Sequence, residues 1–288
     1  MMPFIINQSQ CVGCGSCIGN CPNRAIIRKG AEVIITGMCS DCGMCVRHCG
    51  LDAINTGKSR VAFDNKKQDR AIKDKLLLPR NIVAMKFADK APAGVPEEDG
   101  LNFWCHICGD IFEGHEAPVF FSAQKSVCGG SSALGLGTRR VNRDDVLAMI
   151  EVVTGDGGYF TTNDLFTKPR TLFPKFPKVY GGMVIASLSR MKMPDIILMP
   201  VNGKQMCMLA TAYAFETGEI ITGNAGGGTC LATVTIPFLE NRPVFSCGDH
   251  GGRMHMRLKD EESLACFPYR LVPGTIANLD RTVFAQGG

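Results

Sequence analysis

Short apolar runs separated by polar stretches recur along most of the chain. Runs of this length, bounded by polar or turn residues, predict β-strands. They lie at Val33–Ile35, Ile82–Phe87, Pro118–Ser122, Met183–Leu188, Asp195–Met199, Thr233–Phe238 and Pro243–Ser246. Longer segments with apolar residues at helical spacing predict α-helices. These are Asp64–Leu78, Phe103–Glu113, Asn142–Val153 and Gln205–Phe215, of which the first ends before Pro79 and the last is terminated by Gly218.

An internal repeat sets the first part of the chain apart. The stretch Cys21–Ile26 recurs as Cys49–Ile54 at an offset of twenty-eight residues. Each half reads as a strand, a cysteine-bearing loop, a helical turn and a second strand, and neither half is large enough to bury a core alone. We therefore predict a pseudo-twofold domain over residues 1–57, a basic linker helix over residues 58–79 and a larger mixed α/β domain over residues 80–288. The fold class of the whole chain is α+β, because strands and helices mix without strict alternation.

Composition and charge limit where in the cell this protein is expected and which partners it is expected to bind. The chain has 288 residues and a mean hydropathy of +0.07, and we see neither an apolar run of the ~18 residues that a membrane span needs nor a secretory signal. A cytoplasmic protein is therefore expected. The net charge of +4 is concentrated in residues 58–80, which carry eight Lys/Arg and three Asp/Glu. A solvated connecting helix explains this segment more simply than a docking surface for an acidic partner or nucleic acid does, because Phe63 is its only aromatic residue.

The cysteines supply the chemistry. Two runs have the spacing C-x2-C-x2-C-x3-C, formed by Cys11, Cys14, Cys17 and Cys21 and by Cys39, Cys42, Cys45 and Cys49. This spacing resembles that of bacterial-type two-cluster ferredoxins, in which each fourth cysteine serves the other cluster. The resemblance implies one [4Fe–4S] cluster on Cys11, Cys14, Cys17 and Cys49, and a second on Cys39, Cys42, Cys45 and Cys21. Zinc sites, the main alternative, favour paired C-x2-C knuckles separated by longer loops. Folding of this domain should then require the metal. Iron–sulfur clusters of this kind are easily lost to oxygen, so they indicate a reducing cytoplasm such as that of an anaerobe.

Seven further cysteines lie outside these runs, several of them in glycine-rich loops. The segments Asn81–Lys86, Cys128–Leu136, Pro194–Leu198, Gly228–Cys230 and Ser246–Arg253 resemble the archaeal and bacterial family catalogued as domain of unknown function 169, over about residues 80–288. The resemblance marks a domain and assigns no reaction. Cys108, Cys128, Cys230 and Cys247 are the set we select for a third [4Fe–4S] cluster or a metal. The alternatives are separate buried thiols, or a redox pair formed by Cys105 and Cys108.

Other polar residues of this domain are weaker candidates. His106, His250 and His255 could ligate iron or relay protons, although single histidines in polar loops are usually only exposed. Gly226–Gly228 could cradle an anion, but a tight bend is the simpler interpretation. Arg253 would suit a carboxylate or a phosphate. Cys207 and Cys266 are expected to be core residues, because their surroundings are apolar.

These observations lead to two hypotheses about function. In the first, the two-cluster module delivers low-potential electrons to a redox, metal-binding or cofactor-binding centre in the C-terminal domain, and the chain could be an oxidoreductase. In the second, the chain is a non-enzymatic electron carrier or redox sensor whose C-terminal domain binds a partner protein or a small ligand. Both require a redox partner protein. The substrate and the partner cannot be identified from these residues.

Overall fold

The computed structural model describes residues 4–21, 24–36, 39, 43–49, 51, 53–56, 65–128, 134–136, 154–162 and 179–285. The chain divides into two compact units, residues 1–63 and 64–288. The described residues form α-helices and β-strands in both units, which confirms the α+β class.

The first unit is built from two similar halves. Its strands are β1 (Phe4–Ile6), β2 (Ile26–Lys29), β3 (Glu32–Ile35) and β4 (Ile54–Thr56), and its short helices are α1 (Ser16–Gly19) and α2 (Met44–Arg47). Strand β1 pairs antiparallel with β4, and β2 pairs antiparallel with β3. The core is small, and two cysteines, Cys17 and Cys45, belong to it together with four aliphatic side chains. Six buried residues are a small core for an independently folded unit.

The second unit is a seven-stranded mixed sheet among the described residues. Its strands are β5 (Val83–Ala88), β6 (Val119–Ser122), β7 (Gly182–Ser187), β8 (Ile196–Val201), β9 (Thr222–Asn224), β10 (Val244–Ser246) and β11 (Ser263–Pro268). The spatial order is β6-β7-β5-β8-β11-β10-β9. All neighbouring pairs are antiparallel except β9 and β10, which are parallel.

Helices cover both faces of this sheet. The described helices are α3 (Asn65–Leu76), α4 (Trp104–Phe112), α5 (Gly203–Thr217), α6 (Thr229–Glu240), α7 (His250–Met256) and α8 (Val272–Asn278). Alternate strand residues point to opposite faces, so Val83 and Met85 pack in the core with α4, α6 and α7, whereas Ala84 packs with α3, α5 and α8. The result is a three-layer arrangement with two hydrophobic cores. Among the described residues, no helix is long and apolar enough to cross a membrane.

Most predicted elements agree with the structure, and one strand was wrong. The segment Thr233–Phe238 lies inside helix α6. Its apolar and β-branched residues form a continuous run because the helix is buried on nearly all sides, and Thr233 and Thr235 are as inaccessible as their aliphatic neighbours. A short apolar run of this kind does not distinguish a buried strand from a buried helix.

Several other predictions have specific outcomes. Cys266 is buried as predicted, but Cys207 is exposed, because it occupies a different side of α5 from Leu209 and Ala212, which face the sheet. The predicted helix Asn142–Val153 lies outside the described residues. The linker helix appears as α3, which packs within the second unit against the 3-10 turn Leu188–Arg190. The boundaries at residues 57 and 79 stay predictions.

Candidate functional site

Four cysteines of the first unit line a single cavity. Cys11, Cys14 and Cys17 come from the first run and Cys49 comes from the second. Aliphatic side chains, among them Val33, form the wall of this cavity behind the sulfur atoms. The structure thus brings together the four side chains that the ferredoxin resemblance assigns to one cluster, including the one from the other repeat.

The loop between Cys11 and Cys17 curves around this cavity because two of its glycines adopt left-handed backbone angles. Gly13 has φ +69° and Gly15 has φ +80°, a region that L-residues with a side chain rarely occupy. Gly15 then begins α1, just as Gly43 begins α2 in the second half. The cysteines are therefore positioned by backbone geometry that the glycine positions encode.

Backbone N–H groups are aimed at sulfur in both halves. The Ala25 N–H donates to Cys21 Sγ at 3.2 Å, and the Ala53 N–H donates to Cys49 Sγ at 3.3 Å. The two bonds are related by the twenty-eight-residue offset. Hydrogen bonds of this kind favour the thiolate form that binds metal, and they influence the redox potential of an iron–sulfur cluster.

Burial, hydrogen bonds and neighbouring charges shift the pKa values of two of these four thiols. Burial raises the pKa of Cys17, and charge on Cys11, Cys14 and Cys49 raises it further. Hydrogen bonds from Ser16, followed by smaller contributions that include the charge of Arg28, lower the pKa of the exposed Cys14. Four crowded sulfurs of this kind would repel one another as thiolates, so a positively charged inorganic group would stabilise them. Cys11, Cys14, Cys17 and Cys49 form no disulfide bond.

The arrangement of these sulfurs bears on whether they hold a single metal ion or a cluster. No group of three described His, Cys, Asp or Glu side chains is arranged to hold a single metal ion. A [4Fe–4S] core binds each thiolate through a different iron atom, so its ligands surround a volume. Cys11, Cys14, Cys17 and Cys49 likewise line one cavity.

Of the second predicted set, the structure describes Cys21, Cys39 and Cys45, while Cys42 lies outside the described residues. Cys45 is buried in the small core and the other two are partly buried. They occupy the positions that the repeat relates to the cavity-lining cysteines. Their common role as ligands stays a prediction.

The cysteines predicted to form a third site are dispersed where they are described. Cys108 is fully buried in α4, where burial, and then charge on Cys105 and Cys266, raises its pKa well above the ordinary value. Cys247 is exposed after β10, with its sulfur 4.0 Å from the Ser263 hydroxyl. Only the backbone of Cys230 is described, in the first turn of α6. Cys108 is therefore in the hydrophobic core rather than beside Cys247.

Cys105, rather than Cys108, is the neighbour of Cys128. An isolated parallel bridge joins Asn102 to Ser126, and the Val127 N–H donates to the Asn102 carbonyl at 3.1 Å. This bridge places the first turn of α4 beside the segment that ends at Cys128. Burial raises the pKa of Cys105 strongly, and charge on Cys128 and then on Asp249 raises it further.

Asp249 connects two helix N-termini next to these thiols. One oxygen of its carboxylate accepts the Gly252 N–H at 2.6 Å and so caps α7, while the other accepts the Gly228 N–H at 3.0 Å at the start of α6. The Tyr159 hydroxyl accepts the Gly251 N–H at 2.6 Å. The glycine loop therefore binds the chain's own carboxylate, which favours the tight bend over an anion cradle at Gly228.

The remaining polar candidates have defined partners. His255 stacks on Phe103 with ring centroids 4.4 Å apart, and His106 lies 6.1 Å from it. Burial, and then the neighbouring His106, lowers the pKa of His255.

The guanidinium of Arg253 donates to backbone carbonyls including those of Cys247 and Glu262. Arg253 thus stabilises a turn, and the anion-binding role suggested by its sequence is not supported by these contacts. His250 is exposed at the start of α7.

Sequence reasoning missed Asp249, Tyr159 and Phe103. Asp249 carries a detectable signal, since an aspartate three residues before Gly252 is typical of a helix N-cap. Tyr159 and Phe103 carry none, because their partners lie far away along the chain.

Comparison with known proteins finds one family model within each of the two compact units. Residues 71–278 match the model of domain of unknown function 169, a family described as an uncharacterised ArCR. Residues 3–50 match a model described as a 4Fe–4S dicluster domain. No curated protein and no solved structure matches the chain.

Proposed function

The chain belongs to the family of domain of unknown function 169, and we propose that its iron–sulfur module holds two [4Fe–4S] clusters and delivers low-potential electrons to that domain. The cavity lined by Cys11, Cys14, Cys17 and Cys49 is the observation that carries the proposal. When bound, such a cluster accepts and releases single electrons. The protein supplies eight cysteines, of which Cys21 and Cys49 accept backbone N–H groups.

Sharing of ligands between the repeats gives a sharp test. In the proposed arrangement Cys14 and Cys49 bind the same cluster, although they come from different runs. Protein purified without oxygen should contain about eight irons per chain. Cys14→Ser, Cys49→Ser and the double variant should each retain about four, because all three lose the same cluster.

The contrary result is equally clear. If Cys14 and Cys49 served different clusters, the double variant would lose nearly all of its iron while each single variant lost half. Cys207→Ser is the matched control, because this thiol is exposed on α5 in the other unit. It should leave the iron content and the EPR spectrum unchanged. An iron-free, colourless wild-type protein would refute the proposal.

The electron-accepting site is proposed to lie around Cys105, Cys128, Asp249 and His255. Cys105 comes from α4, Cys128 from the segment that follows β6, Asp249 from the N-cap of α7 and His255 from its last turn. Together they combine redox-capable thiols with groups that can accept or donate protons. A third cluster on Cys108, Cys128, Cys230 and Cys247 is the alternative, and it would have to bring the buried Cys108 to the exposed Cys247. Iron analysis separates these cases, since a third cluster would raise the content to about twelve irons per chain.

Delivery of electrons requires that the two domains respond to each other. Reduction of the iron–sulfur module should change the rate at which Cys128 is alkylated, measured by mass spectrometry under anaerobic conditions. Cys207 provides the internal control within the same sample. If the module is reduced and Cys128 reacts at the same rate, the second hypothesis is favoured, in which the domain binds a partner or ligand and performs no redox step.

A further inference from the structure

Arg28 lies across the loop that carries three of the four cavity-lining cysteines. Its guanidinium donates a hydrogen bond to the Gly13 carbonyl. A Cβ atom at Gly13 would be only 3.2 Å from Arg28 Nη1, and one at Gly15 would be 3.7 Å from Nη2. The cation is thus held against the backbone between Cys11 and Cys17 even though the side chain starts from strand β2.

The repeat makes this charge asymmetric. Position 28 corresponds to position 56 at the offset of twenty-eight residues, and Thr56 stands there. The first half therefore places a full positive charge at a position where the second half has a neutral residue. Nothing in the cysteine spacing reveals this difference, because the four cysteines are spaced identically in both runs.

We propose that Arg28 raises the reduction potential of the cluster on Cys11, Cys14, Cys17 and Cys49 relative to that of its counterpart. This inference rests on the proposed two-cluster function. A nearby cation stabilises the state with more negative charge, which is the reduced state of an iron–sulfur cluster. The first cluster then holds an electron in preference to the second, so the two differ in role.

The experiment is an EPR-monitored redox titration of Arg28→Gln, which removes the charge and retains hydrogen-bonding capacity. Arg28 is exposed and screened by water, so its effect should be moderate. At a fixed solution potential, the ratio of the reduced to the oxidised form of the first cluster should fall two- to fivefold. This corresponds to a fall of about 20 to 40 mV at ~59 mV per tenfold change. The difference from wild type should shrink at high salt, as expected for a screened charge.

Three variants make the result specific. Arg28→Lys retains the charge and should keep the wild-type potential even if the hydrogen bond to Gly13 changes. Lys29→Gln removes an exposed charge from the next residue of β2, whose side chain points to the opposite side, and should have little effect. In the Cys14→Ser/Cys49→Ser background, where only the second cluster is expected, Arg28→Gln should not shift the remaining potential.

The outcomes separate this inference from the proposed function. If Arg28→Gln keeps about eight irons and both potentials match wild type within error, the inference is refuted and the two-cluster assignment stands. An equal shift in Arg28→Lys would also refute it, because loss of the guanidinium geometry and not of charge would then be responsible. Iron loss in the wild-type protein would instead overturn the proposed function itself.

Discussion

Gly109 allows α4 and α7 to cross closely, near the point where Phe103 stacks on His255. A Cβ atom added at Gly109 would lie 2.3 Å from the His255 carbonyl oxygen and 3.2 Å from Met256 Cα. Contacts of Cβ below 3.0 Å are essentially never seen, so the helices would have to separate by at least about 0.7 Å. Both atoms belong to the backbone, so no side-chain rotation relieves the clash.

Two opposing effects determine the result of Gly109→Ala. Alanine favours helix over glycine by about 1 kcal/mol at an interior position. Overpacking of a buried contact costs about 1–3 kcal/mol, and the clash here is with backbone at the upper end of that range. We therefore expect a net loss of roughly 1–2 kcal/mol of unfolding free energy, together with a looser contact between Phe103 and His255.

Urea unfolding of the full chain, followed by circular dichroism, measures this change. Gly203→Ala is the matched control, since Gly203 is helical and a Cβ there meets nothing within 4 Å. That control should be neutral or slightly stabilising. A Gly109→Ala protein as stable as Gly203→Ala would refute the close helix crossing.

Other expectations concern the buried groups of the second unit. Arg80→Met should lower the unfolding free energy by about 3–5 kcal/mol, because Glu262, 2.6 Å from the guanidinium, would be left charged and buried. Glu113→Gln, at the exposed end of the same ion-pair network, should cost less than about 1 kcal/mol. Equal effects of the two substitutions in urea unfolding would contradict this expectation. Iodoacetamide should label the exposed Cys207 quickly and leave the buried Cys266 unlabelled until the domain unfolds, as peptide mass spectrometry can determine. Burial raises the pKa of Cys266, so its stabilising contribution is present below the unfolded pKa of ~8.5 and is lost as pH rises above it. Cys266→Ala should therefore flatten the decline in stability above ~pH 9 by about 1.4 kcal/mol per pH unit, and an unchanged slope would show that this thiol does not titrate differently in the two states.

The cysteines of the first unit could be predicted because their arrangement is local. Three cysteines of the first run lie within seven positions, and the repeat relates Cys21 to Cys49. A loop of this spacing can fold around one inorganic core with little help from the rest of the chain. The cavity that includes Cys49 follows from the antiparallel pairing of β1 with β4, which brings the end of the second half to the start of the first.

The site in the second unit could not be predicted in the same way. Its neighbours are set by the bridge between Asn102 and Ser126 and by the crossing of α4 with α7 at Gly109. Neither contact leaves a local pattern in the sequence. Selecting cysteines because they adjoin glycines favoured Cys247 and omitted Cys105, whose apolar helical surroundings concealed its proximity to Cys128.

The parallel pair β9–β10 explains why polar groups collect at this edge of the sheet. Both strands end at the same side, where the Cys247 N–H donates to the Asn224 carbonyl at 2.9 Å. Each is followed by a short loop and a helix N-terminus, and the Asp249 carboxylate receives an N–H from both helices. In open sheets the carboxyl ends of parallel strands are where ligands bind, because the following helices leave a crevice lined by N–H groups. Here the chain's own carboxylate accepts the Gly228 and Gly252 N–H groups. Burial, then charge on Cys128, and then the charge of this carboxylate raise the pKa of the Cys105 thiol. The N–H groups at this edge therefore favour a tight bend of the chain over an anion site.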